Sequence, residues 1–141
     1  MPLAATFALA LSAAITPVVP QVGAPQPIQI PAAQTIQQYV ENYFADAPVM
    51  IKIAQCESRF RQFAKDGSVL QNPKSTAVGV FQIMSSIHKD LADQKLGLNI
   101  DTLEGNVAYA KQLYQEKGTQ PWVSSAPCWN KGVDKDKIAL K

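Results

Sequence analysis

The chain has 141 residues, of which 47% are hydrophobic and 17% are charged, and this is the composition of a globular protein with room for one domain. The formal net charge at pH 7 is only +2. Because a nucleic-acid-binding protein would show clustered Lys and Arg residues, this composition excludes nucleic acid as the expected partner.

The N-terminal part of the chain carries no charged residue before Glu41. An apolar run at 3–15 (LAATFALALSAAI) is shorter than the roughly 20 residues that span a bilayer, and it resembles the hydrophobic region of a secretory signal. An apolar helix packed on the domain is the alternative. Five prolines follow by residue 31 and predict an extended linker.

These features divide the chain in two. We predict a signal-like segment and linker over 1–33, followed by a folded domain with a charged C-terminal tail over 34–141. The protein is then expected to be exported, to the periplasm, the cell envelope or the outside of the cell. The N-terminal segment would be either removed or kept as an anchor.

Helical spacing of apolar residues begins at Gln34 or Thr35 and predicts a helix that ends before Pro48. Because the first position of a helix needs no N–H, Pro48 is well suited to begin a second helix, over 48–58. A third helix is predicted over 87–96, with Ser85 or Ser86 as its cap. A fourth begins after Asp101 or Thr102. Gly97 and Gly118 are expected to end the last two helices.

The stretch between the second and third helices lacks helical spacing. Asp66-Gly67 and Asn72-Pro73 are typical of turns, and two short strands are predicted, at Val69-Leu70 and over 77–81. The sequence therefore predicts a mainly helical domain with a small hairpin or irregular lobe in this region.

Glu57 is the most unusual residue of the second helix. With Met50, Ile53 and Ala54 it follows the i, i+3, i+4, i+7 spacing, so it lies where an aliphatic residue is expected. Burial and the negative end of the helix dipole would both raise its pKa. A carboxylic acid that keeps its proton near neutral pH is suited to general-acid cleavage of a glycosidic bond. The alternative is a solvated Glu at a frayed helix end.

Three segments together indicate a family. Cys56-Glu57-Ser58 is followed by Gly79-Val80-Phe81-Gln82-Ile83 and then by Asn106-Val107-Ala108-Tyr109-Ala110. In this order and at this spacing they resemble the lytic transglycosylase SLT domains of the lysozyme-like superfamily, over roughly residues 35–130. One departure is visible, because Met84-Ser85 stands where many members have Met-Pro.

The resemblance implies a mainly α, lysozyme-like α+β fold, with its small lobe between the catalytic helix and the Gly-x-x-Gln segment. It implies cleavage of the MurNAc–GlcNAc β-1,4 bond of peptidoglycan, with 1,6-anhydroMurNAc ends as products. Glu57 would be the catalytic acid and base. The expected substrate-binding residues are Ser58, Gly79, Phe81, Gln82 and Tyr109.

Two other functions remain open. Hydrolysis of the same bond usually needs a second carboxylate, as in lysozyme, which is the standard example of this chemistry. Asp66 is the nearest candidate after Glu57, and no acidic residue occurs between it and Asp90. The other possibility is an inactive glycan-binding or structural module, in which Glu57 would have an ordinary pKa.

The cysteine and histidine content limits other chemistry. Two cysteines in an apparently exported chain predict a Cys56–Cys128 disulfide, with two free buried thiols as the alternative. His88 is the single histidine, and no ligand-spaced acidic cluster accompanies it, so we predict no metal and no cofactor. Trp122 and Trp129 are expected to be buried rather than stacked on sugars. We expect a monomer that acts on glycan strands.

Overall fold

The computed structural model describes residues 33–131. The predicted signal-like segment, the linker and the charged tail concern residues outside this range. Within it, the predicted mainly helical, lysozyme-like architecture is confirmed. The helices are α1 (Ile36–Tyr43), α2 (Pro48–Ser58), α3 (Ser85–Leu96), α4 (Leu103–Lys117), a 3-10 helix (Gln120–Ser125) and α5 (Ala126–Trp129); the strands are β1 (Ala77–Val78) and β2 (Ile83–Met84).

Local chemistry explains most helix ends. Thr35 caps α1 by accepting a hydrogen bond from the Gln38 N–H, and the Gln38 side chain in turn accepts from the Thr35 N–H. Pro48 begins α2 as predicted. Gly97 and Gly118 follow α3 and α4 with positive φ, as the sequence predicted for residues that end a helix.

The two predicted strands are shorter than expected, and their pairing is irregular. β1 pairs antiparallel with β2. The segment after Val69 also pairs with β1, since Gln71 bridges Val78 and the Gly79 N–H donates to the Leu70 carbonyl at 2.8 Å. Residues 79–82 form the turn of this hairpin instead of continuing a strand, since Gly79 and Gln82 have φ of 72° and 48°. The chain between α2 and β1 is an irregular lobe.

The predicted serine cap of α3 was also wrong. α3 begins at Ser85 itself, and Met84 precedes it without any side-chain cap. The Ser85 hydroxyl donates to the carbonyl oxygen of Thr76 at 2.8 Å, and the Ser86 hydroxyl lies 2.7 Å from that of Thr76. The two serines therefore fasten the start of α3 to the chain before β1.

The core lies between the helices and the hairpin turn. Phe44, the residue after α1, packs edge-on against Phe81, with ring centroids 5.2 Å apart, and Phe81 packs against Trp122. Trp122 and Trp129 are buried, as predicted. Among residues 33–131, no helix combines the length and the apolar character that crossing a membrane requires.

Candidate active site

Glu57 lies in the last turn of α2, on the side of the helix that faces the protein. Met50, Ile53 and Ala54 on this side are fully buried, whereas Glu57 is partly buried. The helix ends directly after it, because Arg59 and Phe60 both adopt left-handed backbone conformations with φ of 55° and 58°. A carboxyl group is thus held at the rim of the core, where it remains partly accessible to solvent.

The environment of Glu57 raises the pKa of its carboxyl group above the ordinary value, as predicted. Desolvation by burial is the main cause, and a hydrogen bond from Ser125 acts in the opposite direction. The Ser125 hydroxyl donates to Oε1 of Glu57 at 2.5 Å. The carboxyl group therefore favours its protonated form at a higher pH than a solvated glutamate does.

Two tryptophans hold Ser125 in place. The indole N–H of Trp129 lies 3.1 Å from the Ser125 hydroxyl oxygen and 3.0 Å from the carbonyl oxygen of Trp122. That carbonyl oxygen is in turn 3.1 Å from the Ser125 hydroxyl. The serine that contacts Glu57 is therefore fixed by buried groups of the 3-10 helix and α5.

The hairpin turn is held by side chains from the rest of the domain. Two fully buried amides bond its backbone: Gln62 accepts from the Val80 N–H, and Asn106 accepts from the Phe81 N–H, each at 3.0 Å. Ser58 donates to the Val80 carbonyl at 2.8 Å, and the Trp122 indole donates to the Phe81 carbonyl at 2.9 Å. The residue after Glu57 is thereby bonded directly to the Gly-x-x-Gln turn.

Gly79 and Gln82 were both predicted to bind substrate. A Cβ on Gly79 would lie 2.4 Å from Nδ2 of Asn106 and 2.6 Å from Oε1 of Gln62, so the space beside Gly79 is filled by the protein. Gln82 is only partly buried, and its side-chain N–H donates to the Gly79 carbonyl at 2.9 Å. Of the two, Gln82 is the residue with a side chain that is partly exposed.

Ser58 and Phe81 were also predicted to bind substrate, but both lie in the interior of the domain. Ser58 is 2% exposed, and Phe81 is completely buried. The hydroxyl of Ser58 is occupied by the Val80 carbonyl and by the N–H of Arg61. The sequence pattern located these residues beside the site, but a short motif does not show which of its members face inward.

Tyr109 was predicted to bind substrate. Its hydroxyl is 2.9 Å from Nδ1 of His88 on α3, and the two rings are tilted against each other. Burial raises the pKa of Tyr109 and lowers that of His88. The hydroxyl group of Tyr109 therefore links α4 to α3 through His88.

Asp66, the candidate second carboxylate, is exposed. Its carboxylate accepts hydrogen bonds from the Ser68 hydroxyl at 2.6 Å and the Ser68 N–H at 3.0 Å. These bonds lower the pKa of Asp66. The carboxylate thus stabilises the turn at Gly67.

The Cys56–Cys128 disulfide is present as predicted, with the Cα atoms 6.0 Å apart. It joins the residue before Glu57 to α5, three residues after Ser125. A cleft of about 650 Å³ lies on the side of this bridge that contains Lys52, Arg59 and Trp129. Neither Glu57 nor Gln82 lines it, so we do not assign the catalytic site to that cleft.

Sequence reasoning missed three residues of the site: Ser125, Gln62 and Asn106. Asn106 belonged to a recognised motif, but its role in bonding the hairpin turn was not foreseen. Ser125 and Gln62 gave no signal, because Ser and Gln are ordinary surface residues and their partners lie 68 and 18 positions away. Among residues 33–131, no three His, Cys, Asp or Glu side chains form a group able to hold a metal ion.

Comparison with known proteins gives one match. The family model described as "Transglycosylase SLT domain" matches residues 34–123. This segment includes Glu57, the hairpin turn and Trp122, whereas Ser125 and Trp129 lie beyond its end. No curated protein and no solved structure matches the chain.

Proposed function

Because the chain belongs to the transglycosylase SLT domain family, we propose that it is a lytic transglycosylase that cleaves the MurNAc–GlcNAc β-1,4 bond of peptidoglycan. The observation that carries this proposal is the partly buried Glu57 carboxyl group, whose pKa is raised by desolvation. An ordinary pKa would instead be expected of an inactive module that keeps the fold.

In the first step, Glu57 acts as the general acid. Its proton passes to the glycosidic oxygen, and the bond from that oxygen to C1 of MurNAc breaks. The substrate's own N-acetyl oxygen assists by bonding to C1 as the leaving group departs. The raised pKa favours the protonated form of Glu57 that this step requires.

In the second step, the ionised Glu57 acts as the base. It takes the proton of the C6 hydroxyl of MurNAc, and the C6 oxygen attacks C1 and displaces the N-acetyl oxygen. A 1,6-anhydro ring forms, and Glu57 regains its proton. No water enters the reaction, so no second carboxylate is required to activate one.

The position of Asp66 supports this route over hydrolysis. Asp66 is the next acidic residue along the chain after Glu57, but its carboxylate is exposed and bonded to Ser68 in its own turn. A carboxylate used in this way is poorly placed to stabilise a sugar cation or to activate water on the far side of the bond.

The disulfide supports export. Disulfides persist in oxidising compartments such as the periplasm and the cell exterior, which are also where peptidoglycan is found. We therefore propose that the enzyme works outside the cytoplasm. Its proposed substrate contacts are Gln82 on the hairpin turn and the carboxyl group of Glu57.

The proposal is tested by lysis of purified peptidoglycan. Glu57→Gln keeps the size and the hydrogen-bonding shape of the side chain but has no proton to give, so we expect activity to fall at least about 100-fold. Glu104→Gln, at an exposed position on α4, is the matched control and should retain full activity. A folded Glu57→Gln protein with substantial turnover would reject Glu57 as the acid.

A further inference from the structure

We propose that Ser125 is a positioning residue that keeps a hydrogen bond to Glu57 in both protonation states by reorienting a single hydroxyl proton, and that it bonds the ionised carboxylate more strongly than the protonated acid. This inference rests on the proposed function, in which Glu57 gives up its proton and later regains it. Three groups surround the hydroxyl oxygen, namely the Glu57 carboxyl, the Trp129 indole and the Trp122 carbonyl.

The Ser125 hydroxyl has a limited set of donors and acceptors to share among these groups. A serine hydroxyl has one proton to donate and two lone pairs that accept. One lone pair accepts the indole N–H of Trp129. The remaining lone pair and the proton are shared between Glu57 at 2.5 Å and the Trp122 carbonyl at 3.1 Å.

When Glu57 is protonated, its O–H donates to the free lone pair of Ser125. The Ser125 proton then points to the carbonyl oxygen of Trp122. When Glu57 is ionised, the Ser125 hydroxyl turns and donates to the carboxylate. The Trp122 carbonyl still accepts the Trp129 indole N–H at 3.0 Å.

In neither state does a buried polar group of this network lose its last partner. Trp122 and Trp129 are only 3% and 4% exposed, so an orphaned carbonyl or N–H at this position would be costly. The Trp129 indole removes this cost, because it bonds the serine and the carbonyl at the same time. The proton of Glu57 is therefore lost and regained while the surrounding atoms stay in place.

The Trp122 carbonyl is itself held by the fold. The Trp122 indole donates to the Phe81 carbonyl of the hairpin turn at 2.9 Å, and the disulfide anchors α5 beside Glu57. The serine is thus positioned from both sides of the site. It acts through Glu57 and does not exchange a proton with the substrate.

The test compares Ser125→Ala, Ser125→Thr and Ser124→Ala. Ser125→Ala removes a donor to the ionised form, so the basic limb of the pH–rate profile should move to higher pH, and the rate at the optimum should fall about tenfold or more. Ser125→Thr keeps the hydroxyl, so the basic limb of its pH–rate profile should lie at the same pH as that of the unmodified protein. Ser124 is exposed and adjacent, and its replacement should change neither quantity.

A measurement without substrate separates this inference from the proposed function. The pKa of Glu57 is followed by carbon-13 NMR of its carboxyl group, and it should rise in Ser125→Ala whether or not the protein lyses peptidoglycan. Trp129→Phe removes the indole N–H, so the Trp122 carbonyl competes with Glu57 for the Ser125 proton. The Glu57 pKa should therefore rise in this variant too, and Trp129→Phe provides the test if Ser125→Ala does not fold. An unchanged Glu57 pKa in the folded variants would overturn the inference.

Discussion

Oε1 of Glu57 and the hydroxyl oxygen of Ser125 lie 2.5 Å apart, although 68 residues separate them along the chain. The Cys56–Cys128 disulfide brings the two residues close along the covalent path through the bridge. Cys56 precedes Glu57 by one residue, and Cys128 follows Ser125 by three. The covalent bridge and the proposed catalytic contact therefore both connect the end of α2 to the short stretch where the 3-10 helix meets α5.

Removal of the disulfide should lower both stability and activity. For the double variant Cys56→Ser, Cys128→Ser we expect the free energy of unfolding to fall by up to roughly 4 kcal/mol, because the bridge closes a long loop. Lysis should weaken even at temperatures where the variant is folded, since α5 is no longer fastened beside Glu57. Denaturant unfolding and lysis assays measure the two effects.

The bridge itself is checked by thiol titration of the unreduced, denatured protein, which should find no free thiol. Two free thiols, or a double variant with unchanged stability and activity, would contradict this account of the disulfide.

Glu57 should reduce the stability of the fold at neutral pH. Its folded-state pKa is raised above the ordinary value of 4.5, so the unfolded chain ionises first as the pH rises. The folded state then loses stability from about the unfolded pKa up to the folded pKa, and below this window the cost disappears. We therefore expect Glu57→Gln to raise the melting temperature at pH 7 but to change it little at pH 4.

The comparison of two pH values is the internal control for this prediction. A Gln substitution that acted only through packing would shift the melting temperature equally at both. A lower melting temperature at pH 7 would show that Glu57 is ionised and stabilising in the folded protein, contrary to the raised pKa of its carboxyl group.

Gly79 and Gly67 form a matched pair for testing how the hairpin turn is held. Both have positive φ, 72° and 84°. A Cβ on Gly79 meets the buried amides of Asn106 and Gln62, whereas one on Gly67 meets nothing within 4 Å. Gly67→Ala should therefore cost about 1 kcal/mol of unfolding free energy, from backbone strain alone.

Gly79→Ala should cost more than about 3 kcal/mol, because the amides must move away from the hydrogen bonds that hold the turn. Urea denaturation of the two variants measures both costs. Equal losses for the two glycines would show that strain, and not the buried amide network, dominates at Gly79.

Features with a local cause were predictable from the sequence. Thr35, Pro48, Gly97 and Gly118 mark helix ends because each acts on backbone groups within one turn of itself. The raised pKa of Glu57 was predictable for a similar reason, since the helical period places its side chain on the buried side of α2.

Features that depend on distant partners were not predictable. The hairpin turn at 79–82 includes Gln82 with a positive φ, a conformation that its residue type does not indicate. Phe81 is buried against Phe44 and Trp122, and the hydroxyl of Ser58 is bonded to the Val80 carbonyl of the hairpin turn. Ser125 owes its place to two tryptophans and a disulfide, none of which marks it in its own sequence neighbourhood.

The central claim is that Glu57 promotes an intramolecular reaction without a second carboxylate. Mass spectrometry of muropeptides released from purified peptidoglycan, by the unmodified protein and by Asp66→Asn, tests it most directly. We predict products with 1,6-anhydroMurNAc ends, one water lighter than hydrolysis products and lacking a reducing end, and most of the activity retained in Asp66→Asn. Reducing-end products together with an inactive, folded Asp66→Asn would contradict the account and identify a hydrolase in which Asp66 assists Glu57.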